Sequence, residues 1–175
     1  SVYFGVEGLN MRSRSANNFT IDDLRKIASI AQQHNVRTYL TLNTVVYDSE
    51  MDYMKSILNA AKESGVTAVI AADLSVIQYA NQIGLEVHLS TQCNITNSEA
   101  VRFFSKFADV IVTARELSLQ QVKAITQWIE ENDIKGPNGR QLEIECFVHG
   151  ALCMAVSGKC YISLDNANSS ANRGA

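Results

Sequence analysis

The residues best equipped for chemistry crowd into one stretch. Glu145, Cys146, His149, Cys153 and Cys160 all fall between positions 145 and 160. Cys146, Cys153 and Cys160 are evenly spaced, seven residues apart, and Cys93 is the fourth thiol. Thiolates bind soft or borderline metals, but two of them do not complete a site. Zinc fingers space their cysteines two to four apart, so Cys153-x6-Cys160 matches them poorly. Iron–sulfur clusters take four cysteines at less stereotyped spacings. Glu145 alternates with Phe147 and His149 on one strand face. A carboxylate facing inward there must be paired, hydrogen-bonded or protonated. Arg115 is its expected partner. The pair reads equally as a general acid or base with its anchor and as a strut fixing strand register.

A second set of polar residues recurs at the ends of apolar runs. Asn43, Thr44, Asp73, Ser90, Thr91, Gln92, Arg115 and Glu116 each follow such a run, and Arg12, Arg14, Asn17 and Asn18 follow the first one. Asn43, Asp73, Ser90, Gln92, Arg14 and Asn18 are the candidate substrate-binding residues, with Glu145, His149 and Arg115 the candidate catalytic ones. Each by itself also reads as a strand-end cap or loop hydrogen bond. His88 lies deeper in its strand and is expected to be a satisfied core histidine. His34, at a helix C-terminus, belongs on the surface. Cys146 is expected on the helix-facing side of its strand as a buried thiol. No nucleophile elbow, no HExxH and no cysteine–histidine family signature occurs.

The elements that must position these residues alternate strand and helix. Strands are expected over 2–6, 36–46, 68–72, 85–91, 110–113 and 141–148. Helices are expected after Thr20, with the stripe Leu24, Ile27, Ala28 and Ala31, between the Ser49 cap and Gly65, and over 74–83, 98–107 and 119–132. Thr20 caps the first helix with acids behind it, and Ser49 with Asp52 is the expected cap of the second. Gly136-Pro137-Asn138-Gly139 reads as a turn. Repeated strand–helix units imply a parallel sheet. Each strand has one apolar face and one mixed face: Leu40 and Leu42 oppose Tyr39, Thr41 and Asn43, and Val87 and Leu89 oppose His88, Ser90 and Gln92. Strands of an open doubly wound sheet are apolar on both faces. The expected fold is therefore α/β, a partial TIM-like (βα)8 barrel with about six parallel strands. Residues 1–150 form the barrel part and 151–175 a cysteine-containing segment. Barrel sites lie at the C-terminal ends of the strands, where the polar residues converge.

Composition narrows the classes. The 175 residues are 46% hydrophobic and 19% charged, enough for one domain with a core. The 15 basic and 18 acidic side chains give a net charge of −3, which argues against a generic polyanion binder. One Pro and nine Gly exclude disorder and collagen-like repeats. No apolar run is long enough to cross a bilayer. No secretory signal is visible, so reduced thiols and a cytoplasmic location are expected.

Residues 145–163 carry a longer pattern. Glu145, Phe147, Gly150, Ala151, Leu152, Cys153, Gly158, Cys160, Ile162 and Ser163 match a signature of the form Glu-x-Phe-x-x-Gly-(Ser/Ala)-aliphatic-Cys, four residues, Gly-x-Cys-x-aliphatic-Ser. This resembles peptidase family U32, the collagenase-like peptidases. Tyr3-Phe4-Gly5, the Arg14 to Phe19 loop, Ser90-Thr91-Gln92 and Ala114 to Ser118 resemble it too, so the resemblance spans nearly the whole chain. The resemblance implies a barrel-like domain and a peptidase of unknown catalytic type. It also implies, from other members, oxygen-independent hydroxylation of transfer RNA, ribosomal RNA or ubiquinone precursors with a 4Fe-4S iron–sulfur cluster. On that basis Cys153 and Cys160 are the first two metal ligands. The others would lie further on, the third just after an Asn-Arg-Gly motif such as Asn172-Arg173-Gly174. The chain is accordingly expected to be a fragment truncated at both ends, without an intact cluster and with an open barrel edge that invites homo-oligomers. The implied function is iron–sulfur-dependent RNA hydroxylation acting on tRNA or rRNA. The alternatives are a genuine peptidase acting on peptides, and a zinc-stabilised scaffold without catalysis.

Overall fold

A computed structural model describes residues 1–11, 18–150, 155, 156, 160, 165, 170 and 173. Six strands form one parallel sheet: β1 (Val2–Gly5), β2 (Thr38–Leu42), β3 (Ala68–Ala71), β4 (Glu86–Leu89), β5 (Val110–Val112) and β6 (Glu143–Glu145). They lie side by side in chain order, each paired only with its sequence neighbours. Five helices connect them: α1 (Ile21–Gln33), α2 (Met51–Glu63), α3 (Leu74–Gln82), α4 (Ser98–Phe104) and α5 (Leu119–Glu131). A doubly wound sheet reverses its strand order at a switch point. This sheet never reverses, as a partial TIM-like barrel requires.

The pleat explains the division of faces. Phe4, Leu40, Val69 and Val87 are in register, and one step on so are Leu42, Ala71, Leu89 and Ile111. Apart from Phe4, at 8%, each of these is at most 1% exposed. They join Leu24, Met54, Ile57, Leu58 and Ile77 from the helices in one core. The opposite face carries Tyr39, Thr41, Ile70, His88, Val110 and Glu143. It is the mixed face expected from the sequence.

Local signals set the helix ends. Thr20 caps α1 as expected and, with Asp23, closes a capping box: Asp23 N–H donates to Thr20 Oγ1 at 3.2 Å and Thr20 N–H to Asp23 Oδ2 at 3.1 Å. Asn35 and Asp133 take left-handed backbone just past α1 and α5, where short polar side chains tolerate it. The second helix begins differently from the Ser49–Asp52 expectation. Asp48–Glu50 forms a short 3-10 turn, and Tyr47 N–H donates to Glu50 at 2.9 Å. Ser49 falls inside this turn rather than at a cap, and Glu50, three residues after Tyr47, closes it. Expected strand and helix ends otherwise run long, most at β2, which keeps only Thr38–Leu42, and at β6, which keeps only Glu143–Glu145. Cys146 is exposed rather than buried, because no described helix follows β6 to cover it.

Replacing Thr20 by Ala removes a cap and half of its box. The expected cost is about 1 kcal/mol, read as a lower urea midpoint with an unchanged m-value.

Candidate functional site at the C-terminal ends of the strands

The expected polar residues do gather at the C-terminal ends, and most are spent tying one loop to the next. Asn43, half-buried just past β2, accepts the Met11 N–H through Oδ1 at 3.2 Å, joining the loops after β1 and β2. Asp73 accepts the Val46 N–H at 3.0 Å through one oxygen. Its other oxygen takes Ser75 N–H at 2.8 Å and the Ser75 hydroxyl at 2.6 Å. Asp73 thus caps α3 and stitches the β2 and β3 loops together. Thr91 Oγ1 donates to Thr113 O at 3.1 Å, joining the β4 loop to the end of β5. Arg115, half-buried, donates to Ala155 O at 3.0 Å.

These ties also fix which end of each amide faces out. Asn43 spends its oxygen on Met11, so its NH2 is the group left for a ligand. Ser90, buried at 4%, donates to Gln92 Oε1 at 3.1 Å and leaves the Gln92 NH2 in the same position. Asn10 and Asn18 hold each other at 3.0 Å, and Asn10 also donates to Val6 O at 2.7 Å. Nothing in the sequence pattern singled out Asn10. The signal is Gly5: a Cβ there would meet Asn10 Cγ at 2.6 Å, so only glycine admits that side chain. Thr44 Oγ1 is buried without a hydrogen-bond partner at the end of β2.

Two expectations fail on geometry. Glu145 is exposed, and among the described residues no ion pair joins it to Arg115. It lies next to Val112 on the sheet edge, where no further described strand covers it. His88 is buried at 5% but only half satisfied. Its Nε2 meets Glu86 at 3.1 Å and its ring lies 4.9 Å from Tyr39, while Nδ1 has no partner. His149 is exposed past β6 and His34 ends α1 on the surface. Arg14 and Cys153 lie outside the described residues.

The thiols differ in kind. Cys93 packs half-buried after β4, its thiol 3.9 Å from Ala72 O, and burial pushes it up to about 11. A thiol so far from its thiolate form is a poor metal ligand. Cys160 is half-buried. No group of three or more His, Cys, Asp or Glu converges among the described residues. Those residues do not complete a four-thiolate site.

A second polar cluster occupies the opposite, N-terminal end of the strands. Glu86 receives Arg140 at 2.5 Å and His88, and Asp109 receives both the backbone and side-chain N–H groups of Asn138 at 3.0 and 2.9 Å. Burial raises the Asp109 carboxyl above its usual range, against the Asn138 N–H that lowers it. The groove beside it is lined by Lys62, Glu86, Asn138 and Arg140, groups already committed to one another or to backbone. In a barrel this end serves stability. Among the described residues no helix is long and apolar enough to cross a membrane.

With this geometry in hand, comparison with known proteins is decisive for the family. The chain is 59% identical over 175 residues to a protein named collagenase from Porphyromonas gingivalis, covering all of this chain and 42% of that one. It is 34% identical to a 23S rRNA 5-hydroxycytidine synthase of Escherichia coli, covering 99% of this chain and 25% of that protein. It is 31% identical to the tRNA hydroxylation protein P1 of Bacillus subtilis, covering 99% and 39%. The chain therefore spans well under half the length of these relatives. A solved U32 peptidase, Mk0906, superposes with a TM-score of 0.60 at 16% identity over 82% of this chain and 57% of its own, which speaks for the shared fold. The model of peptidase family U32 matches residues 1–175 from end to end, and the chain belongs to that family.

Proposed function

We propose that this chain is the substrate-facing barrel part of an RNA hydroxylation protein whose chemistry depends on an iron–sulfur cluster. The observation that carries the reading is the character of the C-terminal face. It presents amide donors on Asn43 and Gln92 and, among the described residues, no hydrolytic dyad. Among the described residues no serine, threonine or cysteine is hydrogen-bonded to a histidine. The hydroxyls bonded to carboxylates, Ser75 on Asp73 and Thr20 on Asp23, both belong to helix caps, and Asp73 also holds Val46. Outward NH2 groups suit the carbonyl edge of a pyrimidine base. The exposed Glu145 and His149 stand at the edge of this face as candidate proton carriers. Cys153 and Cys160 would supply two of the cluster's thiolates, and the cluster would supply the electron chemistry. A peptidase reading is favoured by the 59% identity to a protein named collagenase.

The test is made in the organism that carries the gene. Total RNA from a deletion strain is digested and its nucleosides measured by mass spectrometry, with gelatin cleavage assayed in parallel. The expected result is loss of a hydroxylated pyrimidine nucleoside, restored by the wild-type gene. Asn43→Leu and Gln92→Leu should each lower the restored fraction about tenfold, the worth of one lost hydrogen bond of about 1.4 kcal/mol. An unchanged nucleoside profile with gelatin cleavage by the purified protein would overturn the reading in favour of the peptidase.

A further inference from the structure

Arg173 makes the most specific long-range contact on the C-terminal face. Its guanidinium is a bidentate partner of Glu50, with Nη1 at 2.8 Å from Oε2 and Nη2 at 2.5 Å from Oε1. Nη1 also donates to the Val45 carbonyl at 2.6 Å. The plane lies over the Tyr47 ring, 4.7 Å from its centroid. Both charged side chains are only about a quarter exposed, at 27% and 25%. An exposed ion pair between long side chains is worth little and needs no particular geometry. Here a carboxylate fork, a carbonyl and an aromatic face are all matched to one guanidinium, which only arginine satisfies.

The receptor is built by the connection between β2 and α2. The 3-10 turn at Asp48–Glu50 aims the Glu50 carboxylate, and the Tyr47 N–H holds one of its oxygens. Val45 is two residues beyond Asn43, and Val46 is bonded to Asp73. Arg173 is thereby joined through one connection to both stitched loops. At the far side, Arg115 holds Ala155 at the end of β5. Two positions of the cysteine-bearing segment, 155 and 173, are therefore pinned to the C-terminal ends of β5 and β2.

We propose that Arg173 is a positioning residue: seated on Tyr47, Glu50 and Val45, it anchors the chain at position 173 to the C-terminal face beside Asn43, and the site works only when that contact is made. The proposal rests on the reading of this face as the active one. The Arg173 bonds hold the Glu50 carboxyl below its ordinary range, in keeping with a pair that stays charged at neutral pH.

The full-length protein is prepared as wild type, Arg173→Gln, Glu50→Gln and Arg173→Lys. Amide hydrogen exchange is followed in the peptide containing residue 173, whose N–H donates to Ser170 O, and over α1 to α3, together with the hydroxylated nucleoside restored in the deletion strain. Both glutamine variants should raise exchange at residue 173 at least tenfold and leave α1 to α3 unchanged. They should lower the nucleoside at least tenfold, with partial rescue by Arg173→Lys. Unchanged exchange in both variants overturns the proposal, and so does faster exchange with full modification. A wild-type protein that hydroxylates nothing sinks the RNA reading. Gelatin cleavage then takes the place of the nucleoside readout, and the same outcomes decide the role of Arg173.

Discussion

Changing Cys153 and Cys160 together to Ser in the full-length protein is expected to abolish nucleoside hydroxylation and to remove bound iron and sulfide. A serine hydroxyl stays protonated at neutral pH, whereas thiolates are what hold an iron–sulfur cluster. Losing either of two ligands exposes the cluster, so each single variant should approach the double one. The control is Cys93→Ser. Cys93 sits in a packed position against Ala72 with its thiol pushed up to about 11, far from the thiolate form. Its replacement should leave iron content unchanged. Iron and sulfide are measured after anaerobic purification, alongside a visible spectrum. About four irons per chain in the wild type and almost none in the double variant would bear out the proposal. Stoichiometric zinc without iron would point to a scaffold. Hydroxylation or gelatin cleavage that survives in the double variant would show that these thiols are not essential to the chemistry.

What could be read from the sequence divides along a physical line. Periodicity is a local property, and it located six strands, five helices and the apolar side of each. Leu40 and Leu42 oppose Tyr39 and Thr41 in the structure as in the pattern. The Thr20 cap, with acids in the turn behind it, was legible as well. The location of the polar ring followed from the barrel rule, because every member ends a strand. Partners were not legible. Asn43 meets Met11 across the mouth, Asp73 meets Val46, and Glu50 meets a residue 123 positions away. Such pairings depend on loop geometry that no spacing encodes. The Glu145–Arg115 expectation failed for the same reason: adjacency of strands does not decide where a long side chain turns. Cys146 failed for another. Its pattern is that of a covered strand, and the cover has to come from a neighbouring element.

The largest effect on stability is expected from Gly136→Ala. A Cβ at position 136 would stand 2.5 Å from Asp109 Oδ1, 2.7 Å from Asp109 Cα and 2.9 Å from Ala108 O. Two of those three atoms are backbone at the entry to β5, and that backbone is fixed by Asp109 N–H donating to Val87 O at 3.1 Å. The clash cannot be relieved by rotating a side chain. Overpacking of this kind costs about 1–3 kcal/mol. Displacing Asp109 also breaks its two bonds to Asn138, and leaving the buried Asp109 carboxylate unsatisfied adds about 1–3 kcal/mol. At about 2–4 °C per kcal/mol for a chain of this size, the thermal midpoint should fall by roughly 4–24 °C. Gly139→Ala is the contrast. It has nothing within 4 Å but sits at φ +71, so it incurs only left-handed strain of about 1–2 kcal/mol. Asp109→Ala combined with Gly136→Ala separates the two contributions. Removing the carboxylate relieves the 2.5 Å contact but not the 2.7 Å contact to Cα. The double variant should therefore stay well below wild type. Full recovery would show that the side chain alone excludes a larger residue from position 136.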